Sequence, residues 1–197
     1  PKSLLIRCPI SFPANQIVQL AYLHLANING YPMDEFLKYT VATTGHSQGL
    51  QAAVAFSIGR EGDAFYELLY DFVHWFCVAG FFFQSKYHPD VVPDDIINLS
   101  TEMDTEPPAP MAVIIGLPET ELTAYINEFN MDLPEKLGVS ISIKNSDTVL
   151  VITARTSDVV RFRKKFNDEF KQRNITFNYL DVSVPFHRED FVMGGLT

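Results

Sequence analysis

The unit Gly45-His46-Ser47-Gln48-Gly49 constrains the fold of this 197-residue chain more than any other feature. It follows a short β-like segment, Val41 to Thr44, and precedes a run of small residues typical of a closely packed helix. Glycines permit a sharp turn, and the following helix directs its free N–H groups toward the serine. A strand-to-helix turn that merely contains Gly and Ser is the alternative interpretation. The strand–turn–helix context favours a serine nucleophile, Ser47, at the carboxyl end of a strand, where ligands of open α/β folds gather.

A serine nucleophile needs a base, and the chain has five histidines: His24, His46, His74, His88 and His187. His46 adjoins the serine, but neighbouring side chains diverge at a tight turn. Two others lie in apolar helical runs, which is typical of core or half-buried histidines, and one lies in a loop beside Pro89. His187 comes directly after the strand-like segment Thr176–Val182, in a loop that contains Pro185. Because catalytic residues concentrate in loops positioned by a scaffold, His187 is the predicted base.

The elbow, defined here as residues 45–49, and the later Pro185-Phe186-His187 together resemble the acyltransferase family that loads acyl groups onto acyl carrier protein. Within that family the pattern is most similar to the acetyltransferase (starter-loading) domain in the β subunit of fungal-type fatty acid synthases. The similarity runs from about Pro9 to His187, and includes 17–21 and 139–145. It implies an α/β fold: an α/β-hydrolase-like acyltransferase core with an inserted ferredoxin-like subdomain.

A ferredoxin-like subdomain is also predicted by the pattern of Met111 to Asp181, where two amphipathic helices alternate with four strands in the order β-α-β-β-α-β. The predicted elements are 111–117 (strand), 119–130 (helix), 139–144 and 149–154 (a hairpin), 157–171 (helix) and 176–182 (strand). The chain is therefore divided into a core that carries the elbow (1–110), the subdomain (111–182) and a return to the core with the histidine (183–197).

The first half of the chain is predicted to be mostly helical. The predicted elements are an irregular start (1–12) with Pro9 and Pro13 as breakers, helices over 15–28 and 33–39, the strand 41–44, an elbow helix ended by Gly59, a long helix from Asp63 to about Phe83, and a helical turn over 93–99. Because the long helix is apolar on several faces, we expect it to be mostly buried. A polar, proline-rich connection to residue 110 follows it.

The resemblance assigns a role to each site residue. Ser47 becomes acylated, His187 is its base, and the backbone N–H of Gln48 forms part of the oxyanion hole. A second oxyanion donor is expected from a loop upstream of the present sequence. The acyl pocket is assigned to His46, Ala79, Gly80, Asn145 and Phe186. Asn145 has a second interpretation as a turn residue in the hairpin sequence Asn-Ser-Asp.

The resemblance also predicts the cargo. Relatives that load malonyl groups carry an arginine just before a glycine on the long helix, where this chain has Ala79-Gly80. Between Glu61 and Ser85 there is no lysine or arginine to pair with a malonyl carboxylate, and burying an unpaired carboxylate is unfavourable. A neutral acyl group, most simply acetyl, is therefore expected, and a longer chain such as hexanoyl stays open because alanine is small.

Composition excludes several other function classes. A net charge of −9 argues against nucleic acid as a partner. Cys8 and Cys77 form no disulfide pattern and fit a cytoplasmic protein. No apolar run is long enough to span a membrane. The acidic residues have no His or Cys nearby at the spacing that a metal site needs. The resemblance implies no bound cofactor; acyl-CoA and the phosphopantetheine of acyl carrier protein are the substrates. Both ends look incomplete, so we expect a piece of a large multidomain synthase.

Three alternatives remain open. An α/β-hydrolase would use the same elbow with Asp158, Asp168 or Asp181 as a third member. A loading domain for a polyketide starter unit is closer, although many of those carry cysteine where this chain has Ser47. A non-catalytic segment of a synthase is the third, supported by Arg188, which stands where relatives usually have serine. The basic stretch 161–165 is interpreted as a solvated helix face or, alternatively, as a contact for an acidic carrier protein.

Overall fold

The first half of the chain is helical, and the second half carries the sheet. A computed structural model describes residues 2–87, 92–103, 107–131, 133 and 138–188. The chain divides into two compact units, Pro1–Phe83 and Gln84–Thr197. Within the described ranges, no helix is both long and apolar enough to cross a membrane.

The first unit contains five helices among its described residues. They are α1 (Lys2–Leu5), α2 (Cys8–Ile28), α3 (Met33–Tyr39), α4 (Gly49–Ile58) and α5 (Gly62–Lys86), of which α5 ends in the second unit. The predicted irregular start is wrong, because α2 begins at Cys8 and continues through both prolines. Pro9 lies in the first helical turn, where a missing N–H leaves no bond unmade, and Pro13 removes only one intrahelical hydrogen bond. The end of α4 is as predicted: Gly59 follows it in a left-handed conformation, with φ 66°.

The predicted strand over 41–44 is absent from the structure. These residues form neither helix nor strand, and the side chain of Val41 is fully exposed. A strand exists only where a second strand accepts and donates its backbone hydrogen bonds, and no described residue pairs with 41–44. The irregular segment is held instead by a side chain, since Thr43 Oγ1 and Ser57 Oγ lie 2.7 Å apart.

The predicted burial of α5 is also wrong. Phe65, Phe76 and Gly80 are buried, but Trp75 is 55% exposed and Phe81 66% exposed. The apolar core of the first unit is correspondingly small, with Leu20, Ala55, Phe65 and Leu68 at its centre. Asp63, where the long helix was predicted to begin, lies in its first turn, one residue after the start at Gly62.

The second unit has the predicted element order β-α-β-β-α-β, preceded by one helix. Its elements are α6 (Asp94–Met103), β1 (Met111–Ile115), α7 (Glu119–Asn130), β2 (Ser140–Ser146), β3 (Val149–Thr153), α8 (Thr156–Gln172) and β4 (Thr176–Tyr179). The strands form one sheet in the order β2-β3-β1-β4, with every neighbouring pair antiparallel. The helix α6 is longer than the turn predicted over 93–99, and its Ile96 joins the core of this unit.

The register of the sheet places its apolar side chains on one face. Ala112 of β1 pairs with Ile152 of β3 and with Tyr179 of β4, while Ile114 pairs with Leu150 and Phe177. Alternate residues of a strand point to the same face, so these pairs line one surface together, and all belong to the core. Residues of α7 and α8 complete that core, and Phe162 of α8, which has no exposed surface, packs edge-to-face against three other phenylalanines.

The basic stretch of α8 is only partly solvated. Arg161, Lys164 and Lys165 are exposed, as one interpretation predicted, but the side chain of Arg163 is buried. Its guanidinium lies over the rings of Phe177 and Tyr179, at 4.9 and 5.5 Å from the ring centroids. Cation–π contacts of this kind hold Arg163 on the sheet, so it does not contribute to a basic surface.

Candidate functional site

Ser47 has the backbone conformation expected of a serine at a nucleophile elbow. Its φ is 51°, in the left-handed region that a residue with a side chain rarely adopts, and the residue is exposed. Such a conformation costs about 1–3 kcal/mol and persists only where the surroundings hold it. The unfavourable backbone conformation is therefore that of the predicted nucleophile, whereas Gly45 and Gly49 have no positive φ.

The two glycines of the elbow have different roles. A Cβ on Gly45 would lie 2.2 Å from both the carbonyl carbon and the oxygen of Gly49, so only glycine lets the chain approach the start of α4 this closely. A Cβ on Gly49 would meet nothing within 4 Å. The steric requirement for glycine in this motif thus lies at Gly45.

The backbone N–H of Gln48 has no hydrogen-bond acceptor among the described residues. Gly49 N donates to His46 O and Leu50 N donates to Ser47 O, whereas none of the described residues accepts from Gln48 N. Free N–H groups at the start of a helix bind anions, because the helix dipole adds to their own hydrogen-bonding capacity. An N–H directly after the serine and at the start of α4 can therefore stabilise an oxyanion formed there.

The first turns of α2 connect the elbow to the predicted Ala79-Gly80 pair. The side-chain Nε2 of Gln48 donates to the carbonyl oxygen of Phe12 at 2.7 Å. One turn earlier, Gly80 of α5 packs so closely on α2 that an added Cβ would lie 2.4 Å from the carbonyl oxygen of Cys8. The elbow and the Ala79-Gly80 pair are therefore attached to adjacent turns of one helix, with Ala79 half-buried.

A cleft of about 410 Å³ opens beside the elbow within the first unit. Its walls come from α2, from the segment before the elbow and from α4: Gln19, Tyr22, Leu23, Thr43, Thr44, Gly49, Ala52, Ala53 and Phe56. Because Ala52 and Ala53 are small, the groove between α2 and α4 stays open at this point. In the described part of the chain, no group of three or more His, Cys, Asp and Glu side chains is placed to hold a metal ion.

His187 lies in the second unit, in the loop after β4 that the sequence predicted for it. Its φ is 57°, so it shares with Ser47 the left-handed conformation that non-glycine residues rarely adopt, and it is exposed. The residues before it are fixed: Ser183, Val184 and Pro185 are buried, and Ser183 Oγ donates to Gln84 Oε1 at 3.0 Å. The loop presents the imidazole from a rigid support.

Arg188 fixes the other side of this loop. Its Nη1 donates to the carbonyl oxygen of Gly138 at 3.2 Å, and the side chain of Asn130 holds the adjacent Val139 by donating to its carbonyl and accepting from its N–H. Burial raises the pKa of the Asp158 carboxyl, an effect that the nearby guanidiniums of Arg161, Arg155 and Arg188 oppose. Arg188 is thus part of the support of the loop that carries His187.

The remaining predicted residues are dispersed. His46 is exposed at the elbow, Phe186 is half-buried beside His187, and Asn145 is exposed. Asn145 belongs to β2 and lies at an irregularity of its register, so it is not the turn residue of the hairpin. Of the other histidines, His24 is half-buried and stacks on Phe65 at 5.6 Å, as expected of a structural histidine. His74 is exposed, and His88 lies outside the described residues.

Sequence reasoning missed the side chain of Gln48 and the guanidinium of Arg188. Both act through backbone carbonyls that are distant in sequence, which no spacing rule reveals. The one sequence signal was the glutamine directly before a helix, because Ser, Thr, Asp and Asn are the usual residues at that position and a glutamine there indicates a contact other than a helix cap.

A family model described as "Starter unit:ACP transacylase in aflatoxin biosynthesis" matches residues 3–187. The chain belongs to this family. That confirms the resemblance drawn from the elbow and from Pro185-Phe186-His187, and the match includes both Ser47 and His187.

Fungal fatty acid synthase subunits are among the proteins whose sequences are similar to this chain. The chain is 28% identical to fatty acid synthase subunit beta of Saccharomyces cerevisiae, with 94% of the chain aligned to 10% of that protein. It is 26% identical to the corresponding subunit of Gibberella zeae and to the subunit TOXC of Cochliobolus carbonum, with 93% and 97% of the chain aligned to 9% and 10% of those proteins. The chain therefore spans about a tenth of these relatives.

Two solved structures share its mixed α/β fold. MCAT from Streptococcus pneumoniae superposes with a TM-score of 0.61 at 16% identity, over 97% of this chain and 50% of that one. A malonyl CoA-acyl carrier protein transacylase from Clostridium perfringens gives a TM-score of 0.57 at 17% identity, over 97% and 48%. The likeness shows a common fold and extends over about half the length of each structure.

Proposed function

We propose that this family member is an acyltransferase that moves a neutral acyl group from coenzyme A, through an ester on Ser47, to the phosphopantetheine thiol of an acyl carrier protein. The observation that carries the proposal is the geometry of the elbow. Ser47 is exposed and has a φ of 51°, and the backbone N–H of the next residue, Gln48, has no hydrogen-bond acceptor among the described residues. The membership of the starter unit:ACP transacylase family supports it. The proposed setting is a large cytoplasmic synthase in which Ser47 and His187 belong to one hydrolase-like core, interrupted by a ferredoxin-like subdomain.

The proposed reaction has two symmetrical halves. His187 takes the proton of Ser47 as the serine oxygen attacks the thioester carbon; the C–S bond then breaks, and coenzyme A leaves with the proton returned by His187. The carrier thiol next loses its proton to His187 and attacks the serine ester, and the C–O bond breaks as Ser47 recovers its proton. Both tetrahedral oxyanions accept from Gln48 N–H, and one such donor contributes about 10² to 10³ in rate.

Ala79 is the residue from which a neutral cargo is proposed. It is half-buried on α5, and no lysine or arginine lies between Glu61 and Ser85. A malonyl carboxylate beside Ala79 would lose water without gaining a cationic partner, whereas an acetyl group has no charge to desolvate. Acetyl is the proposed cargo. A hexanoyl-type starter unit is the second candidate, favoured by the description of the matched family and by the small size of Ala79.

The test compares three donors in parallel. The wild-type chain and Ser47→Ala are exposed briefly to acetyl-CoA, malonyl-CoA or hexanoyl-CoA, and the intact mass is measured. The acylated wild type is then mixed with carrier protein with and without its phosphopantetheine arm. We expect an acetyl adduct that passes only to the carrier bearing the arm, and no malonyl adduct.

Other outcomes select other functions. A preference for hexanoyl-CoA would replace acetyl by the longer starter unit, and a malonyl adduct would contradict the argument from Ala79. Hydrolysis of simple esters without transfer to the carrier would indicate an α/β-hydrolase. The absence of any adduct would contradict catalysis by this chain and favour a structural segment of a synthase.

A further inference from the structure

We propose that the side chain of Gln48 is a positioning residue, which holds the elbow on α2 so that the Gln48 backbone N–H points at the oxyanion. This inference rests on the proposed function. The backbone N–H is the group that would contact the reacting oxygen, and the side chain acts through it. We call the two side-chain hydrogen bonds of Gln48 to α2 the Gln48–α2 contact.

The Gln48–α2 contact uses both ends of the side-chain amide. Nε2 donates to the carbonyl oxygen of Phe12 at 2.7 Å, and Oε1 accepts from Nδ2 of Asn15 at 3.4 Å. The first bond is short and partly buried, and the second is exposed and near the limit of a hydrogen bond. The bond to Phe12 is therefore the stronger of the two.

The acceptor of that bond is itself held in place. The ring of Phe12 packs edge-to-face on Phe76 and Phe83 of α5, with centroids 5.9 and 5.8 Å apart. Four residues along α2, the side chain of Gln16 is fully buried. The carbonyl of Phe12 is consequently a fixed point, and a donor bound to it has little freedom.

Helix capping does not explain a glutamine at this position. Gln48 is the residue before α4, yet its side chain makes no capping hydrogen bond to the helix. Ser, Thr, Asp and Asn are preferred there because their short side chains reach the free N–H groups of the first turn. A longer amide reaches across to α2 instead. The backbone N–H of Gln48 itself, which has no acceptor among the described residues, remains available to a ligand.

The elbow needs an external hold because Ser47 is strained. With φ 51°, it tends to return to an ordinary conformation, which would rotate the peptide bond between Ser47 and Gln48 and carry the Gln48 N–H with it. A side chain fixed at Phe12 opposes this rotation through the Cα of the same residue. The Gln48–α2 contact thus acts on the atom that the proposed mechanism uses.

The test uses a matched pair of substitutions on one helix. Gln48→Met keeps the length of the side chain and removes both hydrogen bonds. The control is Gln51→Met, three residues along α4, where the buried Oε1 has no hydrogen-bond partner among the described residues. Gln48→Glu removes the donor to Phe12 but keeps an acceptor for Asn15, and Asn15→Ala, at an exposed site, removes only the weaker bond.

Two quantities are measured on each variant of the 197-residue chain. The first is the single-turnover acylation rate at saturating acetyl-CoA, with its half-saturating concentration. The second is the hydrogen exchange of the peptide that contains the elbow. Gln48→Met and Gln48→Glu should acylate roughly threefold to tenfold more slowly, as for loss of one ordinary hydrogen bond, with an unchanged half-saturating concentration. Their elbow amides should exchange faster by a similar factor. Gln51→Met should match the wild type, and Asn15→Ala should lose less than Gln48→Met.

A rise in the half-saturating concentration alone, or equal exchange and acylation in Gln48→Met and Gln51→Met, would overturn the positioning role. Hydrogen exchange separates this failure from failure of the proposed function. If acetyl-CoA does not acylate the wild type, the proposed function is contradicted. In that case, slower hydrogen exchange of the elbow amides in the wild type than in Gln48→Met would still show that the Gln48–α2 contact stabilises the elbow.

Discussion

Replacing Gly45 by alanine should disrupt the elbow, whereas the same change at Gly49 should not. The Cβ of alanine at 45 would lie 2.2 Å from the carbonyl carbon and oxygen of Gly49 and 2.4 Å from the nitrogen of Leu50, where ordinary contact begins at 3.4 Å. All three are backbone atoms of the first turn of α4, so no side chain can rotate away. The turn must retreat by about 1.2 Å, the difference between 3.4 and 2.2 Å.

The size of the effect follows from that displacement. Overpacking of this kind typically costs about 1–3 kcal/mol, and because the obstacle is backbone we expect the unfolding free energy of Gly45→Ala to fall by about 3 kcal/mol. A misplacement of about 1 Å at a reacting centre can lower a rate about 10²-fold, so acylation of Ser47 should fall at least that far. Gly49→Ala meets nothing within 4 Å and restricts only the unfolded chain, so stability should change by less than about 1 kcal/mol, in the stabilising direction.

Denaturant unfolding of the two variants beside the wild type gives the stability difference, and single-turnover labelling of Gly45→Ala gives the rate. The comparison is internal to one motif, because both changes add the same methyl group. Equal stability of Gly45→Ala and Gly49→Ala would refute the close approach of residue 45 to α4. Full acylation of Gly45→Ala would refute the dependence of Ser47 on that geometry.

Three further predictions concern the second unit. Phe162→Ala, which empties a site with no exposed surface, should lower the unfolding free energy by about 3–5 kcal/mol in denaturant titrations, and a loss below about 1 kcal/mol would contradict the packing described. Burial raises the pKa of Asp158 above 3.8, so the folded state holds its proton more tightly and stability should fall as pH rises from about 4 through the raised pKa. Asp158→Asn should remove that part of the pH dependence of the unfolding temperature, and the variant should be at least as stable as the wild type at pH 7. A steeper pH dependence in Asp158→Asn than in the wild type would contradict the predicted direction of the effect. Arg188→Met loses the bond to Gly138 and should slow acylation up to about tenfold, while an unchanged rate would show that this bond does not support His187.

The second unit could be predicted closely because its signals are local. The helix Glu119–Asn130 agrees at both ends, since Pro118 precedes it and its apolar face recurs every three to four residues. The hairpin strands alternate around a short turn, and both partners are close in sequence. Each of these elements carries the reason for its own structure within a few residues.

The first unit could not be predicted as well, because its structure depends on contacts between distant residues. The segment 41–44 has the composition of a strand, but a strand also needs a partner, and none of the described residues pairs with it. The helix α5 is apolar all round, which predicts burial, yet Trp75 and Phe81 are exposed. The proline rule failed at Pro13 because one lost hydrogen bond is a small fraction of those in a helix of 21 residues.

The candidate site shows the same division. A five-residue motif predicted the position of Ser47, and a loop after a strand predicted that of His187. The hydrogen bond from Gln48 to Phe12 joins residues 36 positions apart, so it depends on how α2 and the elbow pack. The support of a candidate site depends on the fold, while its candidate reactive groups are proposed from local sequence motifs.

The central claim is that Ser47 carries the acyl group, and locating the adduct tests it most directly. Trypsin cleaves after Lys38 and Arg60 and releases residues 39–60 as one peptide that contains Ser47, Ser57 and several threonines. After brief exposure to acetyl-CoA, fragment-ion sequencing of this peptide should place the added acetyl group on Ser47, and the Ser47→Ala chain should carry none. An adduct on another residue of the peptide, or one that persists in Ser47→Ala, would contradict the account.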